Sequence, residues 1–271
     1  MQEIFIGAAI LLGLLIGSFL NVLIVRLPQN RSVVYPASHC PKCYEPLRWY
    51  HNIPLLSWLF LGGKCAYCKE PISIQYPIIE ALTALIFFAV FYKNGINLYS
   101  LATALSFSLL LALSAIDLRY KAVPDSINLL AATFALFSSP NILANLQNAL
   151  LVAGALSMLR FFVSYYVSKK EELHLKRLIA KAPWLRDYYP KYIMVEAMGE
   201  GDIIVGFTMG AILGLKATLL ALFLAALIAL PASIFYKIVQ GDRELPFIPF
   251  LALGAFLSYL FGSPLLEWIG V

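Results

Sequence analysis

Ile4 to Val25, IFIGAAILLGLLIGSFLNVLIV, is a run of 22 residues without a single charge. Wound as an α-helix it covers about 33 Å, enough to cross the roughly 30 Å hydrocarbon core of a bilayer. Met-Gln-Glu precedes it in place of the Lys/Arg-rich start of a secretory signal. The reading is therefore a retained first transmembrane helix. The rest of the chain has the same character: of 271 residues 61% are hydrophobic and 13% charged, with a mean hydropathy of +0.80. Soluble domains carry roughly a quarter charged residues, so this composition excludes an ordinary soluble globule, a disordered chain, a coiled coil and a disulfide-stapled mini-protein.

Further apolar segments follow at Tyr76 to Tyr92, Leu98 to Ile116, Ser126 to Phe137, Leu143 to Val167, Ile203 to Leu215, Ala217 to Tyr236 and Phe247 to Leu266. The expected fold is an all-α integral membrane protein of about eight transmembrane helices. The segments after Asp125 and Asp202 are short for a span, which leaves open six spans with two half-buried helices. Arg26, Arg31, Lys42, Arg48, Lys64 and Lys69 all lie in the polar stretch after the first span. By the positive-inside rule that stretch is cytoplasmic and the N-terminus outside. Threading on, only Lys93 and Lys216 of the twenty basic residues fall outside. The net charge of +5 thus reports topology and attraction to anionic lipid, not a nucleic-acid partner. The expected division is a first span (1–25), a cytoplasmic four-Cys loop (26–75), spans two to five (76–167), a basic cytoplasmic loop (168–201) and three last spans (202–271). In the second loop Leu173, Leu175, Leu178 and Ile179 sit among Lys and Glu at near-helical spacing. That pattern fits a basic amphipathic helix on the inner leaflet or a solvated hairpin. No internal repeat is expected.

The first loop holds all four cysteines, as Cys40-Pro-Lys-Cys43 and Cys65-Ala-Tyr-Cys68. Each C-x2-C turn aims two thiolates at one point, and two turns complete a tetrahedral four-sulfur shell suited to zinc or another thiophilic metal such as iron. With Pro46, Pro54 and Gly62-Gly63 between the pairs, the loop has little core of its own and would gain folding free energy from the metal. A four-thiolate, zinc-ribbon-like site leaves no position for a catalytic water, so its role is structural. Two disulfides are the other reading, disfavoured in a reducing compartment.

Chemistry is sought among acids at membrane depth, each costing about 2.5–3.5 kcal/mol at a helix centre on insertion scales. Asp117 stands at the cytoplasmic end of the third span, and Asp202 ends Gly199-Glu-Gly201-Asp202 where the chain re-enters the membrane. Two carboxylates at one depth would share a proton, one acting as general base toward water and the other as general acid toward a scissile carbonyl. Gly199 and Gly201 would let backbone approach Asp202 closely. Asp125 and Asp202 could instead be helix N-caps, and Asp117 could pair with Arg119 or Lys121.

At this point the chain resembles the type IV prepilin leader peptidases, which combine a G-x-G-D intramembrane aspartyl protease with an N-methyltransferase. The residues carrying the resemblance are Gly17-Ser-Phe-Leu-Asn21 through Arg26-Leu-Pro28, Ser38-His-Cys-Pro-Lys-Cys43, Asn52-Ile-Pro-Leu, Gly62-Gly-Lys-Cys-Ala-Tyr-Cys68 and Tyr76-Pro-Ile-Ile-Glu80. Ile116-Asp117 through Pro124-Asp125, Glu196 through Asp202 and Pro246-Phe-Ile-Pro249 complete it. The resemblance implies that Asp117 and Asp202 are catalytic and that the substrates are prepilins or pseudopilins cut on the cytoplasmic side of the bacterial inner membrane. It also implies methylation of the new N-terminus from S-adenosylmethionine. It assigns no residues to the methyl donor and no oligomeric state. The chain departs from the family in having Gln75 where an Arg is usual, Ile204 where a Lys is usual, and Ile248 in place of a Gly.

Three rivals are a peptidase without methyl transfer, a transporter using the two aspartates as a proton relay, and a membrane-anchored zinc module that only scaffolds assembly. The lack of paired halves with broken helices argues against the transporter.

Overall fold

The computed structural model describes residues 2–182, 195–196, 199–239 and 245–269. Its helices are α1 (Gln2–Arg26), a short α2 (Leu56–Phe60), α3 (Gln75–Asn94), α4 (Leu98–Tyr120), α5 (Asp125–Leu136), α6 (Ile142–Lys181), α7 (Glu200–Val239) and α8 (Ile248–Ile269). No strand occurs among the described residues, only two isolated bridges in the cysteine loop. In a bilayer each helix satisfies its own backbone, which is why apolar runs of this length fold this way.

Among the described residues six helices are long and apolar enough to cross a membrane: α1, α3, α4, α6, α7 and α8. All eight apolar segments read from the sequence are helical, and six of the helices rather than eight have the length of a full span. α5 has 12 residues and so covers only about 18 Å. The other short segment is the first arm of α7, which breaks at Gly214 with φ 74° and ψ 173°. In a straight helix residues 209 and 218 are roughly 13 Å apart, yet Thr218 Oγ1 donates to Met209 O at 3.2 Å and to Gly214 O at 2.6 Å. The chain therefore folds back at Gly214, where positive φ suits glycine. The first arm, Glu200 to Leu213, is a half-length helix packed beside α5, and Ser138 at the end of α5 donates to Ala211 O at 3.3 Å.

Helices approach closely through small residues, as expected where lipid removes the hydrophobic drive between helices. A Cβ on Gly13 or Gly17 would lie 2.8 Å from Ala84 Cα or 2.7 Å from Glu80 Cα, so α1 and α3 are in backbone contact. Gly210 does the same for α7 against α6, where a Cβ would lie 2.8 Å from Asn148 O, while Gly206 faces the side chains of Leu156 and Val152. The buried centre is formed by α4, whose Leu110, Leu113 and Ile116 are fully enclosed. Leu15, Phe19, Phe161, Phe162, Leu219 and Phe223 point outward.

The expected amphipathic helix is not a separate element up to Lys181. Ser168–Lys181 continues α6, a 40-residue helix of about 60 Å that outruns the bilayer core by its own length again. Lys169 and Lys176 both pair with Glu172 on this arm, one turn either side, which supports a solvated helix. Residues 183–194 and 197–198 of that loop lie outside the described residues.

Candidate functional site

Asp117 lies in the last turn of α4, with 7% of its surface exposed. Its Oδ2 accepts the backbone N–H of Ile248, the first residue of α8, at 3.1 Å. The carboxylate thus caps another helix's N-terminus, where unpaired N–H groups and the helix dipole favour negative charge. Arg119 instead stacks its guanidinium over Tyr120, 5.3 Å from the ring centre.

Asp202 stands in the first turn of α7 and is half-buried. Its carboxylate accepts from the backbone N–H of Gly199 and is an electrostatic neighbour of Asp117. The acid thus reaches back to the start of its own helix, which is the half of a capping box that the third helical residue supplies. Asp202 is therefore not an N-cap but an acid three residues on. Asp125 is not one either: Pro124 holds the N-cap position of α5, no side chain caps it, and Asp125 is exposed. Gly199 and Gly201 differ in use. Among the described residues a Cβ on Gly199 would meet only Asp202 Oδ2, at 3.7 Å, whereas one on Gly201 would fall 2.9 Å from Val123 Cβ and Cγ1. The close approach expected at Gly201 is taken by the α4–α5 connection.

Two neighbours of this site had no signal in the sequence reading. Asn128, fully buried on α5, donates from Nδ2 to Gly201 O at 3.0 Å. Arg160 on α6 pairs with Glu196 at 3.3 Å and Glu200 at 3.2 Å, tying the approach to α7 onto α6. An Asn in an apolar helix and an Arg inside an apolar segment are the cues that could have flagged them.

The cysteine loop is built from two copies of one turn. CPKCYEP (40–46) and CAYCKEP (65–71) share C-x-x-C-x-E-P, a short internal repeat the sequence reading missed. In each, the first Cys N–H donates to the Glu carbonyl (3.1 Å from Cys40 to Glu45, 2.8 Å from Cys65 to Glu70). The residue after the second Cys, Tyr44 or Lys69, has positive φ of 59° or 60°. All four thiols are free, with Cys40 and Cys65 buried. Their Sγ atoms lie within 4.8 Å of one another, and Cys40 Sγ is 3.8 Å from Cys68 Sγ. Tetrahedral Zn–S bonds of about 2.3 Å set S···S at about 3.8 Å, so the four residues could hold a metal ion. Backbone N–H groups of Cys68 and Tyr67 directed at the sulfur pull the Cys65 thiol down to about 7, while Cys68 beside it is pushed up to about 12, so one thiolate of the cluster forms readily and the others need the metal to displace their protons.

A buried acid joins loop to membrane. Glu80 of α3, 7% exposed, accepts from the backbone N–H of Leu55 at 2.8 Å, and the Ser18 hydroxyl also reaches it. Leu55 sits at φ 60°, a conformation that a leucine adopts only under restraint. Beside this contact a cavity of about 320 Å³ lies between α1 and the loop, lined by residues including Ser18, Arg26, Ser38 and Asn52.

A bundle of membrane-length helices bearing a four-thiolate module and two acids gathered at helix ends defines a polytopic membrane protein with an acid pair fit for hydrolytic chemistry. Residues 11–94 match the Bacterial Peptidase A24 N-terminal domain and residues 104–234 match the Type IV leader peptidase family, and the chain belongs to that family. It is 30% identical to a prepilin leader peptidase/N-methyltransferase of Xanthomonas campestris pv. campestris, covering 96% of this chain and 92% of the relative. It is 36% identical to a protein of the same name from Myxococcus xanthus (85% and 62% covered), and 32% identical to one from Neisseria gonorrhoeae (93% and 88%). No solved structure matches the chain.

Proposed function

We propose that this protein is an intramembrane aspartyl endopeptidase that removes the leader of type IV prepilins or pseudopilins, with Asp117 and Asp202 as the catalytic pair. The carrying observation is that acids 85 residues apart in sequence become electrostatic neighbours at one end of the bundle. One proton shared between them leaves a carboxylate to take a proton from water as its oxygen attacks the scissile carbonyl carbon. The protonated partner hydrogen-bonds to the carbonyl oxygen and later protonates the leaving amine. Gly199 supports this site through the N–H that Asp202 accepts, Gly201 through a missing side chain that lets Val123 pack against the first turn of α7, and Asp125 opens the neighbouring helix.

The names of the relatives support a second activity, N-methylation of the new N-terminus, with S-adenosylmethionine as donor. The four cysteines are read as a structural zinc site that folds the loop 26–75; four thiolates leave no open ligand position. The site faces the cytoplasm in the bacterial inner membrane, because basic residues concentrate beside it. Incubation of the purified protein with a prepilin and labelled S-adenosylmethionine, followed by sequencing of the pilin N-terminus, tests both activities. Absence of leader removal would overturn the peptidase reading, and cleavage without label would leave a peptidase alone.

A further inference from the structure

Asn128 lies on α5 one turn after Asp125, and none of its surface is exposed. Its Nδ2 donates at 3.0 Å to the carbonyl of Gly201, which belongs to the peptide bond joining Gly201 to Asp202. Only the amide nitrogen can face a carbonyl, so the side-chain orientation is set by its partner. The Oδ1 is buried and has no donor among the described residues. A residue kept only to tie two helices would gain by satisfying both ends or by being apolar, since a desolvated, unpaired acceptor is costly. Gly201 itself packs against Val123 of the α4–α5 connection. Two elements thus grip the backbone immediately before Asp202.

We infer that Asn128 is a positioning residue for Asp202: its amide clamps the Gly201–Asp202 peptide and thereby holds the Asp202 carboxylate against Asp117. The inference rests on the proposed aspartyl pair. Asn128 does not touch the scissile bond, so its loss alters how the pair is aimed and not how substrate binds. A misplacement of about 1 Å in a catalytic group costs about a hundredfold in rate.

The test compares prepilin cleavage by the full chain in detergent with Asn128→Ala and Asn128→Ser, which differ by one hydroxyl. Asn128→Val and Asn128→Thr form a second pair, matched in shape, to be used if the smaller residues do not yield folded protein. The expected result is a kcat about ten- to a hundredfold lower for Ala or Val with KM within about twofold. The hydroxyl variant of each pair should recover several-fold in kcat at an equal melting temperature. Wild-type kcat in the Ala or Val variant, or equal losses within a pair that follow the melting temperature, would overturn the positioning role. Wild type and Asp202→Asn run alongside separate the two ideas. An inactive wild type sinks the proposed function, whereas an active wild type with an equally active Asn128→Ala sinks only this inference.

Discussion

Asp117 and Ile248 are joined by a 3.1 Å hydrogen bond from the Ile248 backbone N–H to Asp117 Oδ2, so that the end of α4 caps the start of α8. This contact gives a site acid a structural duty beside its proposed chemical one. The two can be separated, because asparagine keeps an acceptor oxygen while losing the ionisable group. Asp117→Asn should retain the cap and a near wild-type melting temperature, yet cleave prepilin about a hundredfold to ten-thousandfold more slowly. Asp202→Asn should behave alike. Normal turnover by either variant in a purified assay would remove it from the catalytic pair. Asp117→Leu should in addition lose about 1 kcal/mol of stability with the cap.

Metal content follows from the thiol geometry. Purified protein should carry about one equivalent of zinc or iron by elemental analysis, and Cys40→Ser or Cys65→Ser should lose it together with the protease resistance of loop 26–75. Affinity should also fall with pH. All four ligands must be thiolates, so protons compete with the metal as pH drops. Metal retained undiminished to pH 4, or a metal-free disulfide form, would contradict the four-thiolate site.

Gly201 has no room for a methyl group, because its Cβ would sit 2.9 Å from Val123. Gly201→Ala should cost about 1–3 kcal/mol through overpacking and lower cleavage by at least about tenfold as Asp202 shifts. Val123→Gly added to it should recover part of the loss, since Val123 Cβ is itself among the 2.9 Å contacts, and a double-mutant cycle would read that coupling. Additive losses would show that Val123 is not the obstacle.

Glu80 is expected to hold the cysteine loop on the bundle. Glu80→Gln keeps an acceptor for the Leu55 N–H and should be mild. Glu80→Leu strands a partly buried donor, at about 1–3 kcal/mol, and should open the segment around Leu55 to proteolysis in detergent. Equal protease resistance of the two variants would rule out this anchoring role.

Much of this protein is legible in one dimension because lipid imposes a simple rule: a backbone without water must hydrogen-bond to itself, so each long apolar run declares a helix. Ile4 to Val25, the all-α class and the C-x2-C pairs are of this kind, their meaning being carried by consecutive residues. The acids Asp117 and Asp202 also stood out, since charge at membrane depth is rare and costly.

Tertiary structure decided what depends on residues far apart. The reversal at Gly214 is invisible in hydropathy, which records apolarity and not direction. It turns one 40-residue helix assignment into a short arm and a long one. Whether Asp202 would face Asp117, cap its own helix or both depended on Gly199, Val123 and α5, none of them near Asp117 by any helical period. Asn128 and Arg160 acquired roles only when α5, α6 and α7 were packed together. Local spacing sets which helix forms, and the packing of small residues between helices sets which helix ends meet.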